Sequence, residues 1–133
     1  MDGPSAVRRV VLVVEPDPVI GALLSDAVSA EPEYQAVLTT DAAVALATAE
    51  SVQIDIAIID LDLPGMSGIE LVDRLLTVTS AKLPVLVVSD GSTAHTDSMR
   101  ERRIGTYVQK PFDVDTLIRL VRKLAPPAPI ESA

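Results

Sequence analysis

Four strand-like runs each lead into a polar residue able to do chemistry. Glu15 follows Val10 to Val14, Asp60 follows Ile54 to Ile59, Ser89 follows Pro84 to Val88, and Lys110 follows Thr106 to Gln109. In a parallel sheet these four residues stand together at the carboxyl ends of the strands, where open α/β sheets bind ligands at the point of strand reversal. Two carboxylates, a hydroxyl and an ammonium suit a phosphoryl group carried on Asp60 itself. A carboxylate attacks phosphorus to form an acyl phosphate once the charge on the incoming oxygens is neutralised. Lys110 offers a fixed positive charge and Ser89 a rotatable donor, while carboxylates near Asp60 suit a hard, oxygen-bound dication such as Mg²⁺. Polar residues also fall at strand ends simply because strands stop there. The joint pattern, closed by Lys110-Pro111, is what points to chemistry.

The elements that must position these residues alternate strand and helix, as a parallel sheet requires. The Val/Leu/Ile runs at 10–14, 54–59 and 84–88 read as central strands covered on both faces. Tyr34 to Thr39 and Thr106 to Gln109 mix polar with apolar residues, as edge strands do. Three central and two edge strands give the order 2-1-3-4-5, a single doubly wound α/β domain with five helices, and place Glu15 and Asp60 on adjacent strands. Asp17 caps a first helix with Pro18 at its first turn and Val19, Ile20, Leu23, Leu24 and Val28 at helical spacing. Ala42 to Glu50 is helical on propensity, with bulk only from Val44 and Leu46. Ser67-Gly68-Ile69-Glu70 is a capping box ahead of Leu71, Val72, Leu75 and Leu76. Ser92 to Ile104 has only Ala94, Met99 and Ile104 to bury, which makes it the least firmly packed helix. Asp113 opens the last helix, with Leu117, Ile118, Val121 and Leu124 on one stripe.

Composition excludes several classes. The 133 residues are 48% hydrophobic, enough for one core. Aromatic content is 2%, with no Trp, so there is no stacking platform for single-stranded nucleic acid. A formal charge of −8 repels phosphate backbones and anionic lipid, which argues against direct nucleic-acid or membrane partners. No cysteine and a single histidine, His95, remove disulfides, thiolate nucleophiles, zinc clusters and catalytic triads. No apolar run approaches the roughly twenty residues of a membrane span, and no signal peptide opens the chain, so a soluble, cytoplasmic protein is expected. Residues 1–7 and the Pro-rich 126–133 carry no structure signal; the first reads as disordered, the second as a tail or linker stub.

The segments Val13-Val14-Glu15-Pro16-Asp17, Ile58 to Gly68 (with Asp60-Leu61-Asp62-Leu63-Pro64-Gly65-Met66), Val87-Val88-Ser89 and Tyr107 to Phe112 resemble the receiver domains of two-component response regulators. The resemblance runs from Arg8 to about Ala125, and the Asp60 and Lys110 segments together, in this order and spacing, are specific. It implies a chemotaxis-regulator-like, flavodoxin-like fold over 8–125. In that fold Asp60 takes phosphate from a histidine kinase or phosphotransfer protein, Lys110 pairs with the phosphoryl oxygens, and Ser89 is the switch hydroxyl. Tyr107 matches the aromatic coupled to that hydroxyl, and Lys110-Pro111 the family's cis peptide. The implied metal ligands for Mg²⁺ are Glu15, Asp60 and the backbone carbonyl of Asp62. The implied output runs through the 92–124 face to a downstream protein, a linked output domain or a second copy. No enzymatic turnover is implied beyond self-phosphorylation and autodephosphorylation.

Departures from that pattern set the alternatives. The family carries two adjacent acids after the first strand, whereas here the second position is Pro16, so weak Mg²⁺ binding is expected. Asp17 reads first as a helix cap. Asp90 stands where small residues are usual, and its charge either repels a phosphodonor or faces solvent. Arg100, Arg102 and Arg103 read as a solvated helix face. An unphosphorylated pseudo-receiver that serves as an interaction module is the second reading. A haloacid-dehalogenase-like phosphohydrolase is the third, with Asp60 and Asp62 as nucleophile and acid/base, but only Asp113 and Asp115 follow the lysine as further acids.

Overall fold

A computed structural model describes residues 7–90, 96–102, 104 and 106–128. Five strands, β1 (Arg9–Val14), β2 (Tyr34–Thr39), β3 (Ile56–Asp60), β4 (Val85–Ser89) and β5 (Tyr107–Gln109), alternate with α1 (Pro18–Ser29), α2 (Ala42–Ser51), α3 (Gly68–Val78), α4 (Thr96–Glu101) and α5 (Val114–Leu124). All pairings are parallel and the order is β2-β1-β3-β4-β5, as the sequence predicts. One face of the sheet carries Val11, Val13, Ile56, Ile58, Leu86 and Val88 against Leu24 and Val28 of α1 and Leu117 and Val121 of α5. The other carries Leu12, Val14, Ala57 and Ile59 against α2 and α3. Every residue of β3 is buried, which is why that run is continuously apolar up to Asp60.

Several local expectations are corrected. Asp60 and Ser89 are the last residues of β3 and β4 and not the first beyond them. On α2 the alanines Ala42, Ala45 and Ala49 face the core and Leu46 packs against it, while Val44 is 49% exposed. Val19 and Leu23 of α1 are 76% and 51% exposed, so its buried face is narrower and rests on Gly21, Leu24 and Val28. The capping box at α3 is half made. Ser67 Oγ accepts the Glu70 N–H, whereas the Glu70 carboxylate turns outward to Arg74.

The predicted helix 92–104 is described only from Thr96, and it ends at Glu101. With Met99 as the one buried side chain among those described, it has little packing to extend it. Its last turn closes instead with the Ile104 N–H on the Met99 carbonyl. Ser92 to His95, Arg103, 1–6 and 129–133 lie outside the described residues. Pro126 to Ala128 form no helix.

The far end of the sheet is fastened through α5. Tyr34 is buried at the start of β2, and its hydroxyl donates to the Ala125 carbonyl at 2.6 Å. Arg122 lies over the Tyr34 ring at 5.4 Å and reaches Glu31 and Glu33. Tyr34→Phe keeps the ring but strands the buried carbonyl, so it should cost about 1 kcal/mol. A fall in the urea midpoint with unchanged slope is the expected result; an unchanged midpoint would show that water satisfies Ala125.

Candidate functional site

Each site residue arrives by a separate element. Glu15 leaves β1 with its N–H on the Thr39 carbonyl of β2 (3.0 Å), and Lys110 leaves β5 with its N–H on the Ser89 carbonyl of β4 (2.8 Å). Leu61 continues β3 by donating to the Val88 carbonyl at 3.0 Å. The sheet register therefore carries on for one residue past the strands and brings 15, 60 and 110 to one place.

The center of the site is an ion triplet. Lys110 Nζ lies 2.5 Å from Asp60 Oδ2 and 3.2 Å from Glu15 Oε1. Both carboxylates are almost wholly buried, at 2% and 1% exposure, whereas the Lys110 side chain is 26% exposed and is the part of the triplet that meets solvent. Backbone donors hold the remaining oxygens: Asp62 N–H reaches Asp60 Oδ1 at 2.8 Å, and Asp17 N–H reaches Glu15 Oε2 at 3.1 Å. Glu15 Oε1 is left with the ion pair but no aligned hydrogen bond, a buried oxygen only partly satisfied. Burial, together with the neighboring Asp60, pushes the Glu15 carboxyl up from its ordinary range despite the Asp17 N–H. Burial alone would depress Lys110, but the pairs with Asp60 and Glu15 outweigh it and hold its ammonium more firmly protonated.

These donors fit a hard dication in kind though sparsely in number. Glu15 and Asp60 supply adjacent carboxylates, one with an oxygen lacking a hydrogen bond, and the Asp62 carbonyl lies on the adjoining loop. Among the described residues no cluster of three or more acidic or imidazole side chains is positioned for a metal. Half-buried Pro16 offers no side-chain oxygen, and Asp17 is occupied as the α1 cap, accepting from Val19 and Ile20.

The remaining expectations divide. Ser89 is 5% exposed at the end of β4. The Lys110-Pro111 peptide is cis, as the resemblance implies. Tyr107 is 56% exposed and so turned outward from the core. Asp90 is exposed. Arg102 is not a solvated residue: it reaches across to Asp73 of α3, a pairing 29 residues apart that no local pattern announces.

Two glycines shape the loop after Asp60. Gly65 has φ +85°, which only glycine adopts without strain in the Pro64-Gly65 turn. Gly68 starts α3 so close to β3 that a Cβ there would stand 2.5 Å from Leu61 Cα and 2.9 Å from the Asp60 carbonyl oxygen. Sequence reading took Gly68 as part of a helix cap and of the Asp60 segment that carries the resemblance; its role in seating α3 against the Asp60–Leu61 peptide is visible only in space.

Comparison with known proteins agrees with this arrangement. The chain is 32% identical over 115 residues to the DNA-binding response regulator MtrA of Mycolicibacterium smegmatis, covering 86% of this chain and 50% of that protein. It is 26% identical over 116 residues to sporulation initiation phosphotransferase F of Bacillus subtilis, covering 87% of this chain and 93% of that one. A protein-glutamate methylesterase/protein-glutamine glutaminase of a Nocardioides species is 32% identical over 86% of this chain, but this chain covers only 32% of it. The chain thus spans a third to a half of the length of the two longer relatives. Among solved structures, chemotaxis protein CheY4 of Vibrio cholerae superposes with a TM-score of 0.81 at 22% identity, over 89% of this chain and 99% of that one. The receiver domain of sensor histidine kinase PA1611 from Pseudomonas aeruginosa, with a magnesium ion coordinated in its active-site cleft, superposes with a TM-score of 0.79 at 19% identity, over 90% of this chain and 98% of that one. At those identities the two structures support the fold. The response regulator receiver domain model matches residues 11–122, and the chain belongs to that family.

Proposed function

We propose that Asp60 is the phosphoacceptor of a receiver that switches a protein-interaction face. The observation that carries this reading is the buried Asp60 carboxylate held between Lys110 Nζ and the Asp62 N–H. Two donors fix its orientation, while the partly exposed lysine marks the side open to a donor. A carboxylate oxygen attacks phosphorus of a phosphohistidine on a histidine kinase or phosphotransfer protein. The O–P bond forms as the P–N bond breaks, and the electron pair leaves with the imidazole, which picks up a proton. Lys110 then shifts its charge to the phosphoryl oxygens, and Ser89 donates its hydroxyl to one of them. Mg²⁺, held by Glu15, Asp60 and the Asp62 carbonyl, would supply further neutralization of phosphoryl charge.

Output is assigned to α4, β5 and α5, with exposed Tyr107 on that face as the reporter of Ser89. Its partner is a downstream protein, a linked output domain or a second copy. Neither nucleic acid nor membrane is proposed as a direct partner, given the charge of −8. Among the described residues no helix is long and apolar enough to cross a membrane, and a cytoplasmic location is the reading that goes with a kinase partner. Turnover beyond self-phosphorylation and autodephosphorylation is not proposed: Asp113, an acid a phosphohydrolase would need beyond the lysine, is occupied as the α5 cap. Pro16, which removes an acid from the metal site, and Asp90, which sets a charge beside Ser89, are the observations that favor the pseudo-receiver reading.

Incubation with acetyl phosphate and Mg²⁺ should add one phosphate, and Asp60→Asn should reduce labeling at least about 100-fold. No mass shift on the wild type would favor the pseudo-receiver. Labeling that persists in Asp60→Asn would place the acceptor elsewhere.

Pro16→Asp should tighten Mg²⁺ at least about tenfold, equivalent to about 1.4 kcal/mol, by adding an oxygen ligand and a negative charge. NMR titration of amides near Asp60 reads this. An unchanged dissociation constant would mean that Glu15 and the Asp62 carbonyl already complete the site.

Glu15→Gln should weaken Mg²⁺ yet stabilize the metal-free protein. Because the folded-state pKa of Glu15 is raised, its ionization opposes folding as pH climbs through that value. The gain from glutamine is therefore present at pH 7 and vanishes below the ordinary carboxyl pKa, where both side chains are neutral. Urea midpoints at pH 7 and pH 4 test the sign.

A further inference from the structure

Among the described residues, α4 is held by contacts of two different kinds. Met99 is the one buried side chain described on it and meets Leu61, Ile69 and Val87. A single apolar contact fixes a point on a helix without fixing its direction. Direction comes from Arg102, just past the helix end. Its Nε and Nη2 donate to the two carboxylate oxygens of Asp73 at 2.6 and 2.7 Å, and its Nη1 donates to the Ser98 carbonyl at 2.9 Å. Asp73 projects from α3, whose Leu71, Val72 and Leu75 are fully buried, so the acceptor stands on a rigid support. The pairs Glu70–Arg74 and Asp97–Arg100 lie within single helices, whereas Asp73–Arg102 joins two elements in the planar two-bond geometry that distinguishes strong ion pairs from weak surface ones. That bond also holds the Asp73 carboxyl below its usual range.

We propose that the Asp73–Arg102 pair is a latch that holds α4 in its resting position and opens when Asp60 is phosphorylated. The proposal rests on Asp60 as the phosphoacceptor. The two neighbors of Met99 that matter are close to the chemistry in sequence: Leu61 follows Asp60, and Val87 lies two residues before Ser89. Drawing Ser89 toward a phosphoryl group displaces the floor on which Met99 rests. A six-residue helix, about 9 Å long, moves as one piece and carries that displacement to its far end. A two-bond fork loses its alignment over about 1 Å, so the latch is closed or open with little between. By linkage, a change that opens the latch must favor phosphorylation as much as phosphorylation favors opening.

The test compares wild type, Asp73→Asn, Arg102→Gln and the double variant by hydrogen exchange and by labeling with acetyl phosphate and Mg²⁺. Without donor, amides of 98–102 should exchange about fivefold faster in each single variant, while α3 amides at Leu71 to Leu75 keep wild-type protection. The double variant should match Arg102→Gln, because once the guanidinium is gone Asp73 has no contact with α4 left to lose. With donor, the wild-type α4 should rise to the exchange of the variants, and the variants should label about fivefold faster. Unchanged α4 exchange in the single variants, additive effects in the double, or loss of α3 protection as well would overturn the latch. Wild type that labels on Asp60 with no change at α4 overturns the latch and leaves the phosphoacceptor standing. Wild type that does not label overturns the phosphoacceptor and the opening step together, while the donor-free exchange still decides whether the pair holds α4.

Discussion

The contact on which the rest of the structure depends is the Lys110 ammonium set between the carboxylates of Asp60 and Glu15. Two acids at 1% and 2% exposure cannot be buried side by side without compensation. The compensation comes from one cation and two backbone donors, delivered by residues as far apart in sequence as 17 and 110. Only a parallel sheet with β1 and β3 adjacent brings those strand ends into register, and only helices on both faces let such strands be continuously apolar. The fold and the site are in this sense one requirement.

Rigidity is distributed unevenly around that triplet. Toward β1, β3 and α3, packing is dense: β3 is entirely buried, and Gly68 brings α3 into contact with the Asp60–Leu61 peptide. Toward β5 and α4 it thins. β5 has three residues of which one is buried, and among the described side chains of α4 one is buried. A phosphoryl group added at Asp60 would meet a fixed wall on one side and a yielding one on the other. Any displacement it causes therefore goes toward α4 and β5, without a dedicated path being needed.

What was legible in the sequence follows from the range over which each interaction acts. Strand order and the grouping of Glu15, Asp60 and Lys110 could be read because apolar runs and strand-end polar residues are local signals that the parallel topology converts into proximity. Caps at Asp17, Ser67 and Asp113 are likewise local. Which side of α2 faces inward was not legible, since an alanine-rich helix has little amphipathic contrast and the distance to the sheet decides. Arg102 was misread because its partner lies on another helix, and Gly68 was undervalued because the Cβ it lacks would collide with backbone far from any sequence signal.

Pro16 connects the resting stability of this pocket to its chemistry. A pocket with acids at both positions after β1 would set three carboxylates against one lysine and would rely on a metal to relieve the excess. Here two carboxylates face one ammonium, two N–H donors ease the remaining imbalance, and burial beside Asp60 still holds the Glu15 pKa up. The same substitution that eases the metal-free state removes a ligand from the metal-bound one. Stability at rest and affinity for a dication are thus set against each other at a single residue. Proline takes the metal-free side of that balance, and in the same stroke it fixes the turn that places Asp17 to cap α1 and Asp17 N–H to hold Glu15.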